Sequence, residues 1–186
     1  MMTAEDVPHE LSEEERNLLN RGAEMMNGIK YTYKTHYKMG EWYEKFSLIE
    51  NTIVAVGTAG LIISLIWNAF SREALVTIAI VVAMASWLRA VFSWGKKSQR
   101  HFNAADRYHS LFEEFDDYIK IEIHKDDLSE KQKRGMFDSL SEKRKHLNEL
   151  TPRTTNFWYN RVSEEEAQAT ADNSEEEVNE IAESAI

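Results

Sequence analysis

The stretch NTIVAVGTAGLIISLIWNAFS, residues 51–71, decides the fold because it holds 21 consecutive uncharged residues. A helix needs about 20 apolar residues to cross the ~30 Å hydrocarbon core of a bilayer. After two charged residues, 15 more uncharged residues follow, and the apolar character continues past Arg89. The pattern predicts two transmembrane helices, residues 47–70 and 74–94. The alternative is a pair of buried core helices, which a chain of 186 residues has little protein to cover.

The two spans should form a hairpin, since the connection between them is too short for a domain. Ser71 is placed to cap the second span. Tryptophans suit the membrane interfaces and occur at positions 67, 87 and 94. Basic residues flank the outer ends of the hairpin, namely Lys30, Lys34, Lys38, Lys45, Lys96, Lys97 and Arg100. The turn has only Arg72 beside Glu73, so the positive-inside rule predicts a multi-pass plasma-membrane protein with both termini cytoplasmic. No cleavable signal peptide is predicted before the spans.

Helical patterns also flank the hairpin, over residues 12–46 and 96–150. Each side has a capping box, S-E-E-E at 12–15 and S-E-K-Q at 129–132. The sequence therefore predicts an all-α membrane protein: a two-helix transmembrane hairpin with a cytoplasmic helical bundle formed by N- and C-terminal helices. Within it we expect the first helix to break at Asn27–Gly28.

The second span should continue as one helix to about His124, with only Gly95 weakening it. No proline intervenes over that range. The next helix should end before Pro152, because the residue before a proline is driven out of helical geometry.

The net charge of −10 is concentrated at the two ends of the chain. Residues 162–186 hold nine acidic residues and no basic one, whereas residues 21–161 are net positive. Segments so acidic and so poor in large apolar residues bury little. We therefore predict disorder for residues 1–11 and for an acidic tail, 161–186. Basic runs in the body are interspersed with acids, which favours a solvated helix face and no nucleic-acid partner.

Arg89 lies inside the second apolar run, where a charge costs roughly 2.5–3.5 kcal/mol at the centre of a span. Glu50 lies near the start of the first span, at a depth within about 3 Å of Arg89 for two straight helices. A pair between them, across the hairpin or between subunits, is one interpretation. The other is that both side chains extend separately to the inner headgroups.

Small and polar residues recur at helical spacing along both spans: Gly57, Gly60, Ser64, Asn68, Ala79, Ser86 and Ser93. Small residues allow helix backbones to approach closely, and pairs such as Ala79 and Ala83 have the small-x-x-x-small spacing. This stripe indicates either helix packing or the wall of a water-filled path. Two spans cannot enclose a pore, so the second interpretation requires a homo-oligomer in the lipid bilayer.

No pattern for catalysis or metal binding is evident. The six histidines form no H-E-x-x-H motif, and there is no cysteine. The chain also lacks G-x-S-x-G, a phosphate-binding loop and a glycine-rich dinucleotide turn. We therefore expect no enzyme, no catalytic residue, no cofactor and no metal.

The segment KKSQRHFNAADRYHSLFEEF, residues 96–115, follows the hairpin directly and contains H-x-x-A-A-x-x-Y-x-x-L. Its residues are His101, Ala104, Ala105, Tyr108 and Leu111. Together with LTPRTTNFWY at 150–159, it resembles the SLATT family. We place the SLATT-like domain at residues 12–160.

The resemblance implies a two-span membrane effector of prokaryotic, nucleotide-signalled conflict and antiviral systems, acting by oligomeric pore formation or disruption of the inner membrane. It also implies a partner system of SMODS-type nucleotide synthetases or SLOG-type nucleotide sensors. The family has no catalytic motif to carry over, and His101 to Leu111 transfer only as a signature helix. The alternative is a membrane-anchored scaffold or adaptor that recruits a cytoplasmic partner through its helical bundle.

Overall fold

A computed structural model describes residues 12–67 and 70–164. Within them lie four long helices, α1 (Glu13–Trp67), α2 (Arg72–Phe92), α3 (Trp94–Lys120) and α4 (Glu130–Leu150). A 3-10 turn (Glu122–His124) separates α3 from α4, and a short helix follows over 156–164. No strand occurs in these residues, so the all-α prediction is confirmed. Residues 1–11, Asn68 and positions 165–186, most of the predicted tail, lie outside the described residues.

The chain divides into two compact units. Tyr37–Phe102 forms one, here called the hairpin unit, and the described residues before and after it form the bundle unit. The helix over 156–164 belongs to the bundle unit and includes the first four residues of the predicted tail. Its Val162 is buried, and the ring of Tyr159 lies 5.8 Å from that of Tyr31.

Both predicted capping boxes are present. The Glu15 N–H donates to Ser12 Oγ (3.2 Å), and the Ser12 N–H donates to Glu15 Oε2 (2.8 Å). Ser129 and Gln132 exchange the same two bonds at the start of α4, at 3.4 and 2.9 Å. Each box satisfies amide donors that the first turn of a helix leaves without partners.

The predicted break at Asn27–Gly28 is wrong, because α1 runs through it without interruption. A glycine inside a helix costs only about 1 kcal/mol relative to alanine. Packing on both sides offsets that cost: Ile29 is fully buried, and the Thr32 hydroxyl donates to the Gly28 carbonyl (2.8 Å). Tertiary contacts outweigh the local preference here.

The prediction of one helix from the second span to His124 is also wrong. The chain breaks at Ser93, whose φ of 48° and ψ of 47° are left-handed, while Gly95 lies inside α3. The Ser93 N–H donates to the Arg89 carbonyl (3.1 Å), closing α2 with a left-handed cap of the kind that usually carries glycine. The rings of Phe92 and Trp94 stack on either side of the break, with centroids 4.9 Å apart. We attribute the break to this aromatic packing.

The core of the bundle unit joins α1, α3 and α4. Its buried members are Leu18, Ile29, Tyr108, Leu111, Phe115, Tyr118, Ile123, Phe137 and Leu140. At one end of this core, Lys133 Nζ donates to Glu15 Oε1 (2.5 Å), and both side chains are almost fully buried. An exposed pair, Arg134 with Glu14, lies beside it (2.9 Å). The start of α1 is thereby fastened to the start of α4.

Candidate functional site

The apolar stretches of α1 and α2 are long enough to span a membrane and are scarcely covered by the chain. Only 11% and 6% of their most apolar windows are buried. Core helices of a soluble protein are mostly buried, so this exposure favours lipid as their surroundings. Trp67 and Trp87 also point outward, being 71% and 64% exposed.

Within the hairpin unit, α1 at Gly57 lies directly against the Val82 side chain of α2. A β-carbon added there would overlap with Val82 Cγ2. Gly60 is less constrained, since its nearest neighbour would be a ring atom of Phe70 at 3.9 Å. Ser64 is buried, and its Oγ accepts a hydrogen bond from the Phe70 N–H (3.1 Å). These three residues of the predicted stripe pack the hairpin and its turn.

The turn between the spans is closed by the predicted cap. The Ala74 N–H donates to Ser71 Oγ (3.3 Å), so α2 begins with one of its first-turn amides satisfied. The last described residue of α1 is Trp67, three residues before the predicted end of the span.

The small residues of α2 lie differently from those of α1. Ala79 and Ser86 are exposed, as are Ala83 and Ala90 at the same helical spacing. Together they form one outer face of α2, which we call the small-residue face. Within the described residues this face packs against no other helix. Ser93 does not belong to it, because Ser93 is the left-handed residue that ends α2.

Glu50 and Arg89 lie level in the hairpin but do not meet in the structure. Each is seven residues, two helical turns, from the contact of Gly57 with Val82. Glu50 is only 8% exposed, and its Oε1 has no hydrogen-bond partner among the described residues. Arg89 is exposed. The predicted pair is therefore not formed within this single chain, and pairing stays a prediction.

Four cations surround the point where the chain leaves the hairpin: Arg89, Lys96, Lys97 and Arg100. We call them the basic exit. All are exposed, and none has a carboxylate partner among the described residues. Lys97 Nζ lies over three rings, 4.9 Å from the centroid of Trp94, 5.7 Å from Phe92 and 5.9 Å from Tyr43. These contacts hold the ammonium group beside the aromatic surface.

His101, the first signature residue, is buried inside the hairpin unit. Its ring stacks on Tyr43 with centroids 5.5 Å apart. Burial lowers the pKa of this imidazole below its ordinary value of 6.5. Ser98, one turn earlier, donates its hydroxyl proton to the Gly40 carbonyl (2.9 Å), so this part of α3 packs tightly against α1.

The other signature residues form part of the bundle unit. Ala104, Ala105 and Leu111 are buried, as packing predicts. Tyr108 is also buried, and its hydroxyl makes polar contacts that the sequence did not reveal. Its hydroxyl donates to Asn148 Oδ1 (2.7 Å) and lies 3.1 Å from Thr151 Oγ1. Burial raises the pKa of Tyr108 above its ordinary value, so the phenol is a hydrogen-bond donor. The signature thus joins α3 to the end of α4.

An open groove of about 640 Å³ runs between α3 and α4. Apolar side chains, Leu128 and Met136 among them, form part of its lining. Glu114, Asp117 and Glu122 line it too, and Lys143 is paired with Glu114 (2.6 Å). This acidic lining disfavours a nucleotide phosphate. The described part of the chain contains no cluster of three or more metal-ligating side chains.

An all-α chain with two apolar helices joined by a short capped turn defines a two-transmembrane protein. The model of the SMODS and SLOG-associating 2TM effector domain family 4 matches residues 18–181, and the chain belongs to this family. The resemblance read from the signature segment is confirmed, and the match extends beyond residue 160 into the acidic segment. Comparisons with curated proteins and with solved structures returned no match. The family defines the chain as a two-transmembrane effector of nucleotide-signalled conflict systems.

Proposed function

We propose that the chain oligomerises and opens a pore in the plasma membrane, or disrupts it, when its conflict system is triggered. The observation that carries this proposal is the small-residue face of α2. Contacts between transmembrane helices depend on close backbone approach, and this face is exposed in the single chain. A second copy of the hairpin would cover it.

The proposed topology places both termini in the cytosol. The basic exit supports it, since basic residues near the ends of spans are retained on the cytoplasmic side. The bundle unit then lies where a nucleotide-synthetase or nucleotide-sensing partner system operates. We propose further that the effector acts by physical disruption, without catalysis.

Induced expression of the full chain tests the effector function through the membrane potential. With the signalling system active, cells should depolarise. Ala83→Leu with Ser86→Leu fills the small-residue face and should prevent depolarisation, because the added side chains keep neighbouring helices apart. Val81→Leu with Met84→Leu, on another face of α2, is the matched control and should still depolarise cells.

An adaptor function is the second candidate, and the groove between α3 and α4 supports it. Its apolar lining and acidic side chains suit a basic, partly apolar segment of a partner protein. Cells that keep their membrane potential at high expression, with the system active, would favour the adaptor and contradict the effector proposal.

A further inference from the structure

The basic exit belongs to a stretch of the chain that contains no acidic residue. From Arg89 to Phe102 the sequence has four basic residues and no acidic one. In the bundle unit, by contrast, five basic residues each pair with a carboxylate: Lys120, Lys125, Lys133, Arg134 and Lys143. The charges of the basic exit are therefore available to an anionic ligand.

The surroundings of the basic exit indicate what kind of anion this is. Trp42, Phe46 and Phe92 are 37%, 40% and 37% exposed, and their rings adjoin Trp94 at centroid distances of 6.1, 5.8 and 4.9 Å. Aromatic rings beside cations suit the boundary between headgroups and acyl chains. Inorganic phosphate would satisfy the cations and leave these rings in water.

Lys97 is held close to this boundary by its three aromatic neighbours. A lysine side chain ordinarily loses rotamer freedom when it binds a ligand. Here its ammonium group is already restrained over the rings, one turn before Arg100 on α3. Lys96, Lys97 and Arg100 thus lie within five residues of one another in the first two turns of α3.

We propose that the basic exit is a binding surface for anionic phospholipids. The phosphates contact Lys96, Lys97 and Arg100, and the acyl chains cover the aromatic rings. The inference rests on the proposed function only in its choice of leaflet: cytosolic termini place the surface in the cytosolic leaflet, which carries the anionic lipids.

The test uses the purified full chain in vesicles that carry the same anionic lipid in both leaflets, so that the orientation of the protein does not matter. Brominated phosphatidylglycerol and brominated phosphatidylcholine are compared as quenchers of tryptophan fluorescence. The native chain should be quenched more strongly by phosphatidylglycerol, and added salt should reduce this preference by screening.

The variant Lys96→Gln, Lys97→Gln, Arg100→Gln should lose the preference. Each cation removed should lower the affinity for phosphatidylglycerol relative to phosphatidylcholine by about fivefold. The matched control is Lys131→Gln, Lys145→Gln, Arg153→Gln, which removes two lysines and one arginine from exposed positions of the bundle unit. It should keep the preference. The salt dependence of the native chain provides a test that does not depend on the folding of any variant.

Equal quenching of the native chain by both lipids would overturn the proposal, as would a preference that salt leaves unchanged. The proposal would also be overturned if the triple variant kept the preference, or if its control lost as much of the preference as the triple variant. Inorganic phosphate that abolishes the preference at constant ionic strength would overturn the choice of lipid as the ligand. A lipid preference without depolarisation in cells would refute the effector proposal alone, and depolarisation without a lipid preference would refute only this inference.

Discussion

At the scale of single residues, a few positions carry contacts that no substitute reproduces. Gly57 has no β-carbon where Val82 leaves no room for one, and Lys133 is buried against one carboxylate. Neither residue stands out in the sequence, since one is a glycine in an apolar span and the other is a lysine in a polar helix. Their importance comes from the neighbouring helix.

Gly57→Ala should destabilise the hairpin by about 1–3 kcal/mol, because overpacking forces either backbone or side chain to move. Thermal unfolding in detergent measures the effect. Gly60→Ala is the control, since its β-carbon meets only an ordinary contact. Adding Val82→Ala to Gly57→Ala should restore part of the loss, and no restoration would contradict the steric explanation.

Lys133→Met should cost about 3–5 kcal/mol in the free energy of unfolding, because it leaves the Glu15 carboxylate buried and unmatched. Lys143→Met removes the cation of an exposed pair, with side chains 54% and 45% exposed, and should cost no more than about 1 kcal/mol. Equal losses in the two variants would show that burial of the Glu15 pair is unimportant. Chemical denaturation followed by circular dichroism measures both.

The stability of the hairpin unit should fall as the pH drops below about 6.5. Burial lowers the pKa of His101 in the folded state, so the unfolded chain takes up its proton first and acid favours unfolding. Above 6.5 both states are neutral at this residue and the effect vanishes. Unfolding temperatures should be measured between about pH 5 and 8. The decrease in unfolding temperature at acid pH should be smaller in His101→Gln than in the native chain.

At the scale of the helices, the sequence predicts what local signals encode and misses what packing decides. Nearby residues are enough to predict the spans, the capping boxes, the cap at Ser71 and the end of α4 before Pro152. They do not predict the break at Ser93, because the local signal pointed to Gly95, and Trp94 packs against Trp42 and Phe46 from a distant part of the chain. The polar link of Tyr108 was missed for the same reason: its partner Asn148 lies 40 residues away.

Ser93→Gly should stabilise the protein by up to about 1 kcal/mol, because glycine adopts the left-handed conformation without the penalty that other residues bear. Ser86→Gly, in the helical interior of α2, should instead destabilise it by about 0.5–1 kcal/mol. Unfolding temperatures in detergent compare the two. If both variants lose stability equally, the backbone at Ser93 is not under the strain that its φ of 48° implies.

At the scale of the whole molecule, Glu50 and Arg89 are the two charged residues that bear on the proposed assembly. A buried carboxylate oxygen without a partner is costly, and a cation lies at the same level on the neighbouring helix. Pairing across the hairpin or between copies would satisfy both groups.

Glu50→Gln and Arg89→Gln should each reduce the oligomer that chemical cross-linking traps in membranes. The exchanged variant, Glu50→Arg with Arg89→Glu, should recover part of it if the two charges pair, since the exchange keeps their attraction. If the exchanged variant forms no more oligomer than either single variant, the two charges do not pair. Separate extension of the two side chains to the headgroups is then the explanation.

The packed helix after Pro152 bears on how fusion proteins are designed. A chain cut at Leu150 would keep α1 to α4 but lose Thr151, one of the polar neighbours of Tyr108, and Val162, which is buried. Such a truncation would report on a damaged molecule. Topology reporters and affinity tags therefore belong beyond residue 181, where the family match ends.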